Sequence, residues 1–167
     1  PEAKTPEQHA VVARVADWIG SRQFRLPDGT VWRPDRTDVK EGMPRGTLWI
    51  DDLYMACPFL VRWGQSTGDD RHLRDAARNV INMAARMQDR DGVWFHAYFE
   101  NAGKASPWKW GRANGWAMVA TVEILSAMPG EHPDRPALLE ILRRHIDGLK
   151  PLQAESGLWR QVLDRSE

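Results

Sequence analysis

At 167 residues the chain is long enough for one domain with a sizeable core, and its length does not call for a second domain. Lysine plus arginine and aspartate plus glutamate number 23 each, so the formal net charge is zero. Nucleic-acid-binding proteins usually carry a basic excess, and no apolar run here is long enough to cross a bilayer. We therefore expect a single domain over residues 1–167, with neither a nucleic-acid nor a membrane partner.

The single cysteine, Cys57, lies in an apolar run and has no partner for an internal disulfide. Such cysteine usage is typical of a reducing compartment and favours a cytoplasmic protein. No signal-like segment stands at the start of the sequence. The chain begins at Pro1 rather than Met, however, which leaves open a leader upstream.

The first helix is predicted to begin at Thr5, where an N-cap threonine, a proline at the first helical position and Gln8 form a capping box. We expect it to end near Gly20 and to carry one apolar stripe. That stripe consists of Val11, Val12, Val15 and Ile19. The segment 25–46 is rich in turn residues and predicts a long loop, which in a compact domain is usually functional.

The segment from Ile50 to about Trp63 is apolar on nearly every face, which is typical of a helix buried inside a larger assembly. Pro58 is expected to kink this helix or to end its first part. A stop at 67–70 separates it from a one-sided helix over Arg71 to Gln88. Two further helices, the first apolar all round and the second one-sided, run from Ala113 to Met128 and from Asp134 to about Lys150.

The order outer, inner, outer, inner, outer is what a concentric array of helical hairpins requires. An internal repeat supports it, because Gln88-x-x-x-Gly92-Val93-Trp94 recurs as Gln153-x-x-x-Gly157-Leu158-Trp159. A looser copy, Asp28-Gly29-Thr30-Val31-Trp32, places Trp32 in correspondence with Trp94. The alternative is an α-solenoid of tetratricopeptide type, whose period of about 34 residues is roughly half the spacing found here. The pattern favours an all-α toroid.

Asp51 and Asp52 open the first apolar helix directly behind Trp49. Helix capping is one explanation, since aspartate is favoured in a first turn. It accounts less well for a pair of carboxylates on a helix with no other polar face. Because adjacent helical residues diverge by about 100°, only one carboxylate can point into a given cavity, and the other would brace it or titrate against it.

A second aromatic stretch opens the other apolar helix and contains Trp110 and Arg112. Trp49 and Trp110 are separated by 61 residues, as are Asp51 and Arg112, so we interpret the two stretches as walls of one pocket. Arg112 is either a capping or surface arginine or, in the functional interpretation, a fork for a carboxylate on the ligand. Within the same stretch, Asn114 and Trp116 would add a polar contact and a stacking face.

His96 lies among aromatic residues in the turn after an outer helix, where it is either a core histidine or a ligand contact. The other four histidines, His145 among them, lie on polar faces or in a proline-rich loop and are assigned no function. No histidines, carboxylates and cysteines stand at metal-ligand spacing, so no metal is expected. Phosphate-binding glycine motifs and a nucleophilic serine elbow are also missing from the sequence.

Three ordered motifs together resemble the unsaturated rhamnogalacturonyl hydrolases of glycoside hydrolase family 105, over most of the chain from about residue 46. They are Leu48-Trp49-Ile50-Asp51-Asp52-Leu53-Tyr54-Met55 with Pro58-Phe59-Leu60, then Trp110-Gly111-Arg112-Ala113-Asn114-Gly115-Trp116, then Gly157-Leu158-Trp159-Arg160-Gln161-Val162-Leu163-Asp164. The resemblance implies an (α/α)6 barrel that removes a terminal 4,5-unsaturated galacturonate from pectin oligosaccharides in bacteria, without a metal or organic cofactor.

By the same resemblance Asp51 is the general acid/base, which protonates C4 of the double bond and activates a water that adds at C5. Arg112 and His96 would contact the unsaturated uronate, and Trp49 and Trp110 would shape its pocket. A hydrolase needing one catalytic carboxylate departs from the usual two-carboxylate logic of glycosidases.

The sequence departs from the family in two ways. Ala113 stands where the family motif usually has glycine, and about five helices are present where the family barrel has twelve. The fold expected is therefore an incomplete barrel, with exposed apolar faces that favour self-association and with weak or absent turnover by this chain alone. Two other functions stay open: an unsaturated glucuronyl hydrolase acting on glycosaminoglycan fragments, and a noncatalytic sugar-binding toroid.

Overall fold

The computed structural model describes residues 5–34 and 46–165, and five α-helices in these ranges form an inner and an outer layer. They are α1 (Pro6–Asp17), α2 (Asp51–Thr67), α3 (Arg71–Met87), α4 (Gly111–Ala127) and α5 (Arg135–Leu149). The inner helices α2 and α4 pack side by side, α3 packs on both, and α5 packs on α3 and α4. The order of outer and inner helices predicted from the sequence is thereby confirmed.

Helix α1 begins as predicted, with Thr5 Oγ1 accepting from Gln8 N and Gln8 Oε1 accepting from Thr5 N, each at 3.3 Å. A single π-helical turn, Trp18–Arg22, continues it. Two members of the predicted apolar stripe, Val11 and Val15, are 49% and 43% exposed. The main contacts of α1 among the described elements are with α2 and with its own continuation, which leaves this face exposed.

Helix α2 passes through Pro58 without ending, so of the two predicted effects of this proline the ending is excluded and the kink stays a prediction. A proline inside a helix costs about 3 kcal/mol through its missing N–H and its ring. Leu53 and Leu60 on either side are each 1% exposed, and burial of one such side chain contributes about 1.5–3 kcal/mol. Packing against α3 and α4 therefore outweighs the local cost. The helix ends where predicted, at Gly68 with a φ of 72°.

Three short strands, which the helical periodicity does not predict, join the two halves of the structure. They are β1 (Thr47–Trp49), β2 (Ala97–Phe99) and β3 (Lys104–Ala105), in an antiparallel sheet of order β1-β2-β3. Trp49 pairs with Ala97, and Ile50 N donates to His96 O at 3.3 Å. The sheet therefore fixes the start of α2 beside the segment that follows α3.

The repeated glycine turn is confirmed in all three copies. Gly29, Gly92 and Gly157 have φ values of 87°, 85° and 80°, a left-handed conformation that favours glycine. In each copy the side chain four residues earlier donates to the glycine carbonyl. The donors are Arg25 Nη1 at 2.8 Å, Gln88 Nε2 at 3.0 Å and Gln153 Nε2 at 2.7 Å.

The register of the loosest copy differs from the prediction by one residue. Antiparallel bridges join Gln88 to Trp94, Gln153 to Trp159 and Arg25 to Val31. Val31, and not Trp32, is thus the structural counterpart of Trp94. The turn is defined by its glycine and its backbone hydrogen bonds, so the tryptophan next in sequence does not set the alignment.

Counting four residues onward from each glycine gives Arg33, His96 and Gln161. The backbone of each bonds to the segment that leads into or opens an inner helix. Arg33 N donates to Thr47 O at 2.8 Å, His96 N to Trp108 O at 3.0 Å, and Gly111 N to Gln161 O at 2.9 Å. Each repeat therefore brings one side chain to the N-terminal end of the inner layer.

The predicted loop over 25–46 lies partly outside the described residues, which resume at Gly46. Across the described ranges, no helix combines the length and the apolar character that a membrane span requires.

Candidate functional site

The Asp51 carboxylate lies at the N-terminal end of α2, where two cationic or hydrogen-bonding side chains converge on it. His96 Nε2 lies 2.8 Å from Asp51 Oδ2, and Arg112 Nη2 lies 3.3 Å from Asp51 Oδ1. The Asp51 side chain is 20% exposed. The carboxylate is therefore held from both oxygens yet reachable by a small molecule.

Two tryptophans flank this contact, as the sequence predicts. The Trp49 ring meets the His96 ring edge-on with centroids 4.8 Å apart, and the Trp110 ring lies 5.6 Å from His96 at a tilt. Trp49 Nε1 donates to Thr47 Oγ1 at 2.9 Å, which fixes the indole. His96 is thus packed between two aromatic walls and not within the core.

The neighbouring carboxylate, Asp52, bonds to a different side chain. Arg33 Nε and Nη2 donate to the two oxygens of Asp52 at 3.0 and 2.7 Å, a bidentate pair. The Arg33 guanidinium also lies 5.3 Å from the centroid of Trp49. Its hydrogen bonds with Asp52 raise the pKa of Arg33. Asp52 consequently braces the Trp49 wall, while Asp51 faces His96 and Arg112.

Arg112, at the start of α4, has half of its side chain exposed and sits 5.7 Å from the Trp110 centroid. Within the described ranges its ion pair is with Asp51. A guanidinium carries five N–H donors, so one contact with Asp51 leaves capacity for a second anion.

Asn114, predicted to contact the ligand, is instead fully buried, and its polar atoms bond to protein groups. Its Oδ1 accepts from Trp94 N at 2.9 Å, and its Nδ2 donates to Trp94 O at 3.0 Å and Trp110 O at 2.9 Å. Asn114 therefore does not face the Asp51 carboxylate. It joins the segments of Trp94 and Trp110, and each of these tryptophans is followed two residues later by a site residue, His96 or Arg112.

His145 belongs to the same network, although its sequence neighbours suggest a polar face. It is 1% exposed, and its Nε2 lies 2.9 Å from Asn114 Oδ1. Burial lowers the pKa of His145 to about 4, so the neutral ring donates to the asparagine. The polar-face assignment is wrong because α5 turns this position towards α4 and not towards solvent.

Trp116, predicted to stack on a ligand, already stacks on an aromatic side chain of the protein. Its ring stacks on Tyr54 with centroids 4.1 Å apart and an angle of 23° between planes. The pair joins α2 to α4, and Tyr54 lies three residues after Asp51 in α2. Lys109, two residues before α4 begins, binds the turn after α3, with Nζ 2.6 Å from both Asp89 Oδ2 and Asp91 Oδ2.

Arg33 is the residue that the sequence analysis missed. Its signal is the repeat, because Arg33 occupies the position equivalent to His96, four residues after the turn glycine. Aligning the loose copy on its glycine and not on Trp32 would have identified it.

The site combines a partly exposed carboxylate, an imidazole on one of its oxygens and a guanidinium on the other. Such an arrangement can hold an anionic ligand at Arg112 while Asp51 and His96 exchange a proton with it. Among residues 5–34 and 46–165, no group of three or more histidine, cysteine, aspartate or glutamate side chains is placed to hold a metal ion.

Comparison with known proteins identifies a family and several relatives. The family described as Glycosyl Hydrolase Family 88 matches residues 2–167. The unsaturated rhamnogalacturonyl hydrolase YesR of Bacillus subtilis is 33% identical over 154 residues, covering 91% of this chain and 44% of that protein. A family 105 glycoside hydrolase structure from C. acetobutylicum has a TM-score of 0.81 and 26% identity, covering 95% of this chain and 44% of that one.

The fold is shared more widely than the sequence. The unsaturated glucuronyl hydrolase of Bacillus sp. GL1 superimposes with a TM-score of 0.70 at 20% identity, over 97% of this chain and 44% of that one. The chain thus spans less than half the length of each of these three proteins, and its five helices are part of a barrel of the (α/α)6 type. The chain belongs to glycosyl hydrolase family 88.

Proposed function

We propose that this chain carries the acid/base centre of an enzyme that removes a terminal 4,5-unsaturated galacturonate from rhamnogalacturonan oligosaccharides. The observation that carries the proposal is the Asp51 carboxylate, held by His96 at 2.8 Å and Arg112 at 3.3 Å between two tryptophans. The relative named unsaturated rhamnogalacturonyl hydrolase, at 33% identity, supports the choice of substrate.

Asp51, in its protonated form, delivers its proton to C4 of the sugar double bond. A water then adds at C5 and returns a proton to the carboxylate, which restores Asp51. The resulting hemiketal opens and releases the rest of the oligosaccharide. One carboxylate suffices because it acts first as acid and then as base on the same face.

The surrounding residues hold the reacting sugar in place. Arg112 pairs with the carboxylate of the uronate through donors that its contact with Asp51 does not use. His96 orients the Asp51 carboxylate through the Oδ2 contact, and Trp49 and Trp110 stack along the flat unsaturated ring. Asp52 acts on this site indirectly, by fixing Arg33 against Trp49.

The test follows the absorbance of the unsaturated uronate, which disappears when the double bond is hydrated. The unsaturated rhamnogalacturonan disaccharide is incubated with the chain, with Asp51→Asn and with Asp147→Asn, an exposed control on α5. We expect Asp51→Asn to abolish turnover while binding by calorimetry persists, and Asp147→Asn to behave as wild type.

An unsaturated glucuronyl disaccharide is assayed in parallel, and faster loss of that substrate would contradict the choice of galacturonate. If the signal stays flat in this chain and in a longer chain that contains it, the enzymatic proposal is wrong. Binding without turnover in both would then favour a noncatalytic sugar-binding protein.

A further inference from the structure

A second cleft has Trp110 as one of its walls. It has a volume of about 460 Å³ and is formed where the segment after the third turn pairs with the residues before α4. Trp110 and Val162 form an antiparallel bridge there. The cleft is lined by Trp108, Trp110, Arg160, Gln161, Val162 and Arg165. Trp110 thus lines this cleft and also lies near His96 and Arg112, at 5.6 and 5.7 Å from its ring centroid.

The described lining of the cleft is basic. Arg160 and Arg165 line it, and among the residues that the structure describes no acidic side chain does. Arg160 Nη1 donates to the backbone oxygen of Arg165 at 3.1 Å, and the described ion pairs include neither arginine. The nearby Asp164 carboxylate instead accepts from Lys109 N at 3.3 Å. Two guanidinium groups with unused donors favour an anionic ligand.

The cleft also offers flat apolar surface. Trp108 is 38% exposed, and the Arg165 guanidinium lies 4.0 Å from the centroid of its ring. The face of Trp108 that Arg165 leaves uncovered can stack on the apolar face of a pyranose ring, while the guanidinium groups bind a carboxylate or sulfate. Neither element alone selects a ligand, but their combination fits an acidic sugar.

The repeat gives an independent reason to regard this cleft as a binding site. Gln161 occupies the position that Arg33 and His96 hold in the other two units, and those two side chains meet Asp52 and Asp51. In the third unit the equivalent residue, Gln161, lines the cleft. A glutamine amide both donates and accepts, which suits the hydroxyl groups of a sugar.

We propose that this cleft binds a second, anionic sugar of the substrate, one that carries a carboxylate or a sulfate ester and lies beyond the bond to be cleaved. The proposal rests on the proposed function for the direction of the oligosaccharide, because the unsaturated residue occupies the Asp51 side of Trp110. Enzymatic preference then extends past the terminal residue to the charge of a sugar further along the chain.

The test measures binding of saturated acidic sugars, which cannot react because they have no double bond. Digalacturonate, its neutral methyl ester and a sulfated disaccharide are titrated into the chain by calorimetry. We expect the acidic ligands to bind, with affinity falling as salt rises, and the methyl ester to bind about tenfold more weakly, as for loss of a charged hydrogen bond. The tighter of the two acidic ligands identifies the anion.

Variants assign the binding to this cleft. Arg160→Gln and Arg165→Gln are each expected to weaken binding about tenfold, whereas Arg143→Gln, an exposed control on α5, leaves it unchanged. Far-UV circular dichroism checks the fold, and Arg160→Lys, which keeps the charge, should retain more affinity than Arg160→Gln. Arg112→Gln distinguishes the two sites, because binding in this cleft survives it.

If neither acidic ligand binds, or if Arg112→Gln abolishes binding while the Arg160 and Arg165 variants do not, the proposal is wrong. Its failure is separate from that of the proposed function. Binding without any loss of uronate absorbance would contradict the enzymatic proposal and support the binding site in this cleft. Turnover without binding in this cleft would support the enzymatic proposal and contradict the second site.

Discussion

His96 Nε2 lies 2.8 Å from Asp51 Oδ2, although the two residues are 45 positions apart and belong to different units of the repeat. Pairing of β1 with β2 brings them together, because Trp49 lies opposite Ala97 in the register. A shift of one residue in this pairing would turn every side chain to the other face of the sheet. The short sheet therefore decides which carboxylate meets the histidine.

The repeated turns offer a matched test of glycine. A Cβ on Gly92 would overlap the backbone oxygen of Arg144 on α5, whereas a Cβ on Gly157 meets nothing within 4 Å. Both residues have φ values near 80°, so Gly157→Ala costs only backbone strain, about 1–2 kcal/mol. Gly92→Ala should cost clearly more, because α5 must also move. Urea unfolding measures the difference, and equal losses would contradict the packing of this turn.

Stability should depend on pH through His145. Its folded pKa is about 4 against an ordinary value of 6.5, because burial disfavours the charged ring. The unfolded chain therefore binds a proton below pH 6.5 that the folded chain does not bind until about pH 4. As pH falls from 6.5 to about 4, the free energy of unfolding should decrease by up to about 3 kcal/mol. Above pH 6.5 this group should not affect it.

His145→Gln provides the comparison, since its amide can still donate to Asn114 but does not titrate in this range. Denaturant unfolding between pH 4 and pH 8 should give a flatter profile for the variant. Parallel profiles would show that the pKa of His145 is the same in the folded and the unfolded chain.

Arg33 and Asp52 should act as one unit on ligand binding. Arg33→Gln and Asp52→Asn each release the support of Trp49, and we expect a threefold to tenfold loss of affinity, roughly, for the unsaturated disaccharide by calorimetry. The double variant should lose little more than either single one. Arg62→Gln is the control, since Arg62 pairs with Glu123 between α2 and α4 elsewhere. Additive losses would show that the pair is not coupled.

The exposed face of α1 should promote self-association. Val11, Val15 and Trp18 recur at helical spacing and are 49%, 43% and 53% exposed, which forms one apolar surface. Light scattering should give a mass above the 19.1 kDa of one chain. Lysine at both valines should lower it, while Ala10→Lys, also exposed but off this face, should not. A monodisperse monomer would contradict the prediction.

The sequence by itself determined the order of the helices and the identity of the pocket walls. Apolar periodicity distinguishes inner from outer helices because it reports how many sides of a helix are covered, and that property is local. The glycine turns were readable because a left-handed φ restricts the residue type. The spacing of Asp51 and Arg112 within equivalent units also placed them in one pocket, and they meet at 3.3 Å.

Tertiary structure alone decided what each polar side chain touches. Asn114 lies in the aromatic stretch yet points into the core, because Trp94 has backbone groups there that need partners. His145 is buried for a related reason, as the partner of that asparagine. Pro58 stays within α2 because packing on both sides outweighs its local cost. Local patterns specify which residues can form helices and turns, whereas the contacts between them depend on the register of strands and the rotation of helices, which distant residues set.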